Sequence, residues 1–373
     1  MKVKKLNIVS FAPKGHNNFL DTVATRAKAY FETHNISPYA NAGMWVKTII
    51  MLTLYFAPIV LIITGVASVS GWLFFGLWTV MAIGLIGIGT SVMHDANHGT
   101  YSPNKKVNRF IGYILEAVGG FSINWKIQHN VLHHTYTNID GLDEEIESVV
   151  FLRLSPRQPL YWFHKYQFLY IWFFYSIMTL YWMTAKDFVQ VFRYKRKDLL
   201  IKQRTTLKKA VFSLIMYKIF YYGYIIVLPI LFSGMPWYYV IFGFLLMHFI
   251  TGLFLSCVFQ PAHVMETSGY AAPIAKEDSK HKMEDTWAIH EMENTANFAP
   301  KNRLLSWFIG GLNFQIEHHL FTRVCHVHYR KLAPIVQQTA QEFNIPYHVQ
   351  PTFRRALWEH AKMLKKLGRQ KAI

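Results

Sequence analysis

Histidine spacing is the feature of this sequence most able to do chemistry. His94 and His98 stand four apart, so on a helix they differ by about 40° of rotation and point the same way. His129, His133 and His134 follow in Gln128-His129-Asn130-Val131-Leu132-His133-His134, where an α-helix would fan the three imidazoles over about 140°. A third cluster reads Gln315-Ile316-Glu317-His318-His319, and His263 ends Gln260-Pro261-Ala262-His263. With 18 histidines in 373 residues, chance alone gives roughly one adjacent pair, so two doublets by themselves prove little. What lifts them is a helical-face partner, His129 or Gln315, three or four residues before each doublet. Eight imidazoles exceed the roughly three or four ligands that one zinc takes, so a pair of metals is the natural count. Nitrogen-rich sites with open positions suit iron that must bind dioxygen, while zinc and copper stay open on affinity alone.

Such residues need elements that bring them together, and composition says which kind. Hydrophobic residues make up 52% of the chain, aromatic residues 16% and charged residues only 16%, which points to a membrane protein. Thr48 to Met93 and Ile219 to Gln260 contain no Lys, Arg, Asp or Glu, and each block is about twice the ~20 residues that a spanning helix needs. Each block reads as a helical hairpin, turning near Ser68-Val69-Ser70-Gly71 and near Ser233-Gly234-Met235-Pro236. The expected spans are about 45–67, 72–92, 211–232 and 237–258. They lie within a domain over 45–350, between an N-terminal arm over 1–44 and a basic tail over 351–373.

Thr184 to Ala210 carries nine basic residues against Asp187 and Asp198, and the N-terminal arm is Lys-rich, so the positive-inside bias puts both termini and the middle loop in the cytoplasm. The expected fold is therefore an all-α integral membrane protein, with four transmembrane helices as two hairpins and a cytoplasmic helical cap holding a di-metal site. Phe168 to Met183 is apolar and aromatic but short for a span. Were it to cross, the histidine clusters would fall on opposite faces of the membrane, so it reads as an interfacial helix. Phe110 to Phe121 and Leu304 to Phe314 are likewise too short to cross.

Cys257 and Cys325 are too few for a disulfide framework or an iron–sulfur cluster. Met1 to Leu20 lacks an apolar run long enough for a signal peptide, so no cleavage is expected. The net charge of +18 comes from basic residues flanking apolar spans, which suits anionic headgroups better than nucleic acid. An acidic electron-donor protein is a further partner that this charge would attract.

His94-Asp95-Ala96-Asn97-His98, His129 to His134 and Gln315 to His319 resemble the three histidine boxes of the membrane fatty acid desaturases. The likeness covers about 45–350 and is nearest to front-end desaturases, whose third box begins with Gln. It implies a cytoplasmic site with two iron ions, dioxygen as co-substrate and removal of two hydrogens from an acyl chain. The ligands it implies are His94, His98, His129, His133, His134, His263, His318 and His319, with Gln315 as a weak ligand or a structural residue. Two departures limit the likeness. The His-Pro-Gly-Gly motif of a fused cytochrome b5 domain is absent, so electrons are expected from a separate ferredoxin, cytochrome b5 or flavoprotein reductase. The second box has three residues between its first two histidines, where many acyl-CoA desaturases have two, which leaves acyl-CoA and acyl-lipid substrates both open.

Around the boxes, Asp95, Asp140, Asp143 and Glu317 are candidates to accept imidazole N–H bonds from behind, with solvated carboxylates as the alternative. Gly87 and Ser91, with Gly84 and Gly89, permit close helix packing or a groove for an acyl tail. Trp125 and Lys126 are candidate contacts for a substrate headgroup or snorkelling interface residues. His290 reads as a loop histidine, His326 and His328 as surface residues, and His248, mid-span, as a buried hydrogen-bonded histidine. The rival activities are a lipid or carotenoid hydroxylase or ketolase of the same di-iron class and, more remotely, a metal transporter, which would need polar ligands through the bilayer.

Overall fold

Long stretches of low charge mark the helices able to enter a membrane. Four helices are long and apolar enough to cross a membrane: Ala42–Ile63, Gly71–His98, Leu207–Phe232 and Trp237–His263. This structure, a computed structural model, is mostly helical and describes residues 9–13, 18–147, 149–270, 274–275 and 281–372. The lysines at the start of the N-terminal arm lie outside the described residues. Helix starts follow local capping chemistry. Asn41 accepts from the Met44 amide at 3.0 Å at the start of the first span, and Thr206 caps the third. Across the stretch expected to lie at the interface, the chain forms two helices, Trp162–Ser176 and Met178–Arg196, bent by 53° at their junction.

The chain divides into two compact units. One comprises residues 40–126 and 172–257, and holds most of the four spans. Its first two spans meet backbone to backbone at Gly84, where a Cβ would come within 2.6 Å of Tyr55 N, so only glycine permits that approach. The fourth span does the same at Gly252 against Ser176 O. The charge-free block begins just after Lys218, which places that lysine inside the third span. Its ammonium donates to Gly119 O at 2.6 Å and pairs with Asp187 Oδ2 at 3.0 Å. Asp187 is fully buried, and breaking such a pair costs about 3–5 kcal/mol.

The other unit comprises residues 1–39, 127–171 and 258–373. Its core is built from stripes spaced four apart on separate helices: Phe19, Val23 and Ala27; Ala288 and Met292; Ile316 and Leu320; Leu332, Val336 and Ala340. Each of the larger side chains contributes about 1.5–3 kcal/mol by leaving water. A short parallel pairing of Asn297–Phe298 with Val349–Gln350 fixes the approach to the helix Gln315–Leu320, because Asn297 Oδ1 also accepts from Ile316 N at 3.0 Å.

Candidate metal centre

Six of the histidines singled out by spacing lie in the second of these units. His263 is the last residue of the fourth span, and His318 and His319 sit on the fully buried helix Gln315–Leu320. His129 and His133 lie on a π-helical turn, Lys126–His133, with His134 immediately after it. This differs from the α-helical fan expected from sequence. In a turn closed by i→i+5 bonds, residues five apart stack, so His134 falls beside His129 instead of well round the helix. Their Nε2 atoms are 3.2 Å apart.

The imidazoles form a contiguous group. Ring centroids of His133, His263 and His319 lie 4.7–4.9 Å from one another, and His134 is 4.5 Å from His318 and 4.3 Å from His319. Ligand atoms come within 4.8 Å of one another in three sets: His133, His263 and His319; His134, His318 and His319; and His129, His133 and Glu145. The sets His134, His318 and His319 and His129, His133 and Glu145 share no residue, so the cluster has room for more than one ion.

What fits these histidines to a metal is how their other nitrogens are held. His133 Nδ1 faces both oxygens of Asp143 at 3.1 Å, His129 Nδ1 meets Glu145 Oε1 at 2.7 Å, and His319 Nδ1 meets Glu291 Oε2 at 2.6 Å. His263 Nδ1 donates to Asn294 O at 3.2 Å, and His318 Nδ1 lies 3.3 Å from the Tyr329 hydroxyl. In all five, a partner behind the ring engages Nδ1 and leaves Nε2 as the nitrogen able to ligate, the arrangement that fixes tautomer and orientation in metal-bound histidine. Two nitrogens about 2.1 Å from one metal and roughly 90–100° apart lie about 3.0–3.2 Å from each other, which the His129–His134 contact matches. Burial lifts the Glu291 carboxyl to about 8, so it ionises there only with positive charge close by, which a bound cation supplies. Burial opposes charge on His133, but Glu145 and Asp143 outweigh it and raise the imidazole to about 9, so a metal must displace a proton there.

His94 and His98 lie in the other unit, on the last turn of the second span. Their rings are 4.7 Å apart, and each meets the edge of Trp125 at 5.5 Å. Gly99, at φ +80°, ends the helix directly after His98. Trp125 is thus a packing partner of these two imidazoles. Asp95 Oδ1 is 3.5 Å from His94 Nδ1, beyond a good hydrogen bond. Lys126 is half-buried; burial lowers its ammonium and the charge of Glu116 opposes the fall. Gly87 is filled by protein, since a Cβ would come within 2.2 Å of Met51 Sδ, and the Ser91 hydroxyl donates to Gly87 O at 2.5 Å. The groove reading at Gly87 therefore gives way to close packing, while Ser91 is buried with its hydroxyl on its own helix.

Other expectations change as well. Glu317 is buried but turns from the imidazoles, accepting from Asn297 Nδ2 and the Tyr347 hydroxyl at 2.8 Å each. Asp140 is half-buried and touches no imidazole among the described residues. His290 belongs to the helix Trp287–Asn294, and its ring bonds Thr137 O at 2.8 Å and the Asn294 side chain at 3.3 Å. His326 and His328 are buried, His328 against Phe31 and Tyr39 O, because the segment folds back onto the first helix of its unit. His248 is buried between the Tyr221 hydroxyl at 2.9 Å and Thr179 Oγ1 at 3.2 Å. Gln315 is buried at the start of its helix. Sequence reasoning missed Glu145 and Glu291. Glu145 was within reach, two residues past Asp143, whereas Glu291 is 28 residues from His319 and carried no local signal.

The fatty acid desaturase family model matches residues 70–351 of this chain. The sn-1 linoleoyl-lipid 6-desaturase of Arthrospira platensis is 37% identical over 92% of this chain and 90% of its own length. A second sn-1 linoleoyl-lipid 6-desaturase, from Synechocystis, is 34% identical over 92% of this chain and 94% of its own. An acyl-lipid (8-3)-desaturase of Physcomitrium patens is 33% identical over 98% of this chain and 75% of its own. With its membrane-length helices and its clustered, carboxylate-backed histidines, this chain belongs to the fatty acid desaturase family and is an enzyme of that kind.

Proposed function

We propose that the enzyme desaturates a polyunsaturated acyl chain carried on a membrane lipid, on the carboxyl side of an existing double bond, at a centre of two iron ions. The relatives named as linoleoyl-lipid desaturases support the substrate class. The observation that carries the metal assignment is the shared tethering of Nδ1 in His129, His133, His263, His318 and His319. These with His134 form the ligand set in one unit, and the likeness of the first box to the family adds His94 and His98. Gln315, at the start of the helix that carries His318 and His319, is a further candidate ligand.

Two irons bound there supply the reduction of dioxygen that makes hydrogen abstraction from an unactivated methylene possible. Asp143, Glu145 and Glu291 hold protons on the outer nitrogens and keep each ring turned inward. Near-complete burial of all six rings excludes water that would quench the chemistry. The reaction balances as two acyl hydrogens, one dioxygen, two electrons and two protons giving one double bond and two waters. Two cysteines are too few for an iron–sulfur cluster within this chain, and a separate donor is read as the source of the electrons. The four spans are read as two hairpins with both termini and the metal centre on the cytoplasmic side, supported by the basic residues between Lys186 and Lys209.

The test is lipid analysis after expression in a host lacking polyunsaturated acids, fed linoleic acid, comparing the parent with His133→Ala. A new double bond in membrane lipid, absent from the variant together with its iron, is expected. An oxygen-bearing product would instead assign a hydroxylase or ketolase.

A further inference from the structure

The helix Phe353–Leu367 lies beyond the stretch matched by the family model, which ends at residue 351. It is nevertheless firmly anchored. Thr352 caps its start, Gln167 Nε2 donates to Leu364 O at 2.8 Å, and the buried Arg153 guanidinium donates to Leu367 O and, at 2.9 Å, to Gln370 O. Its apolar side, Ala356, Met363, Leu364 and Leu367, is buried in the protein. The opposite side is basic. Arg354, Lys365, Lys366 and Arg369 are exposed, and among the described residues Arg354, Lys366 and Arg369 enter no ion pair. Arg355 and Lys362 are both matched by Glu359, at 2.6 and 2.5 Å. In the middle of the basic side stands Trp358, 57% exposed; Arg354, Trp358 and Lys365 fall within about 40° of one another around the helix.

The buried side leads to the metal centre. His360 Nδ1 donates to Val264 O at 2.8 Å, and Val264 is the residue after His263. A carrier seated on the outer face would therefore stand one helix diameter, about 10–12 Å, from a hydrogen bond that ends on the neighbour of a candidate ligand.

We propose that the exposed face of this helix, centred on Trp358, is the docking surface for an acidic one-electron carrier protein, with the His360–Val264 contact joining it to His263. The inference rests on the desaturase reading, which requires two electrons per double bond from outside the chain. Each docked carrier leaves oxidised by one electron, so two visits serve one turnover. Charge complementarity selects an acidic partner and steers its approach. A partly exposed tryptophan ringed by arginine and lysine is the composition of an interface anchor. A lipid surface fits less well, because a helix lying in a bilayer presents a broad apolar face, and here that face is already covered by protein while the outer one offers a single aromatic residue.

The experiment uses the full-length enzyme in phosphatidylcholine vesicles. Desaturation is driven by reduced plant-type ferredoxin, by reduced soluble cytochrome b5 or, in a single turnover, by reducing the enzyme anaerobically with dithionite and a small viologen mediator, removing both and then admitting oxygen. For Trp358→Ala and for Arg354→Glu with Lys365→Glu, the KM for the effective carrier should rise about tenfold or more, with the mediator-driven rate kept within about twofold. Raising salt should weaken the carrier-driven rate of the parent and not the mediator-driven one. The proposal is overturned if the variants keep the parental KM, if they lose both rates alike, or if neither carrier supports a parent that the mediator does. Loss of binding to phosphatidylserine vesicles with an unchanged carrier KM would reassign the face to lipid. A parent that forms no double bond with any reductant would sink the desaturase reading itself.

Discussion

His133 and His248 are both buried, both hydrogen-bonded, and unlike in the one respect that matters for metal. His248, in the fourth span, has a partner on each nitrogen, the Tyr221 hydroxyl on Nε2 and Thr179 Oγ1 on Nδ1. His133 rests its Nδ1 on Asp143, and its Nε2, 3.6 Å from Glu145 Oε2 and so beyond hydrogen-bond distance, faces other imidazoles, with centroids of His263 and His319 at 4.7 and 4.9 Å. Burial alone thus says little about ligation. Asymmetry between the two ring nitrogens is the informative sign, and it separates the cluster around His133 from His248 and from His290, which also has a partner on each nitrogen.

The largest effect expected from breaking this distinction is at Glu291. Glu291→Ala removes the acceptor behind His319, and iron affinity should fall about 10–100-fold with activity following, as measured by iron titration of the purified protein. Unchanged iron binding would mean that the tether is not part of the site. His248→Leu should leave iron stoichiometry intact and lower resistance to unfolding by about 1–3 kcal/mol, because Tyr221 and Thr179 lose a buried partner. Should that variant lose its iron, the contrast between the two histidines fails. The smallest effect belongs to Glu317→Gln. An amide still accepts from Asn297 or Tyr347, so a loss of about 0.5–1.5 kcal/mol, read by thermal melting, and parental iron content are expected.

Much of this was legible in the sequence because the physics involved is local. The long helices announce themselves by lacking charge over Thr48–Met93 and Ile219–Gln260, and the histidines by recurring three or four apart. What could not be read depends on contacts between distant segments. Glu291 reaches His319 across 28 residues, Lys218 finds Asp187 across 31, and His360 finds Val264 across 96. Adjacency even misled: Glu317 is next to His318, yet its side chain points to Asn297 and Tyr347, because neighbouring positions on a helix face different ways. Gly87 carried an ambiguity that only the position of Met51 removes.

The wide turn at Lys126–His133 bears on how this stretch tolerates gain or loss of a residue. An α turn sets positions three and four apart on one side, and the wider turn does the same for positions four and five apart. His129, His133 and His134 fit the wider rule; a box one residue shorter fits the narrower one with its rings aimed alike. Deleting Asn130 would then be answered by a change of helix type with little change in aim, so alignment gaps here are better counted in turns than in residues.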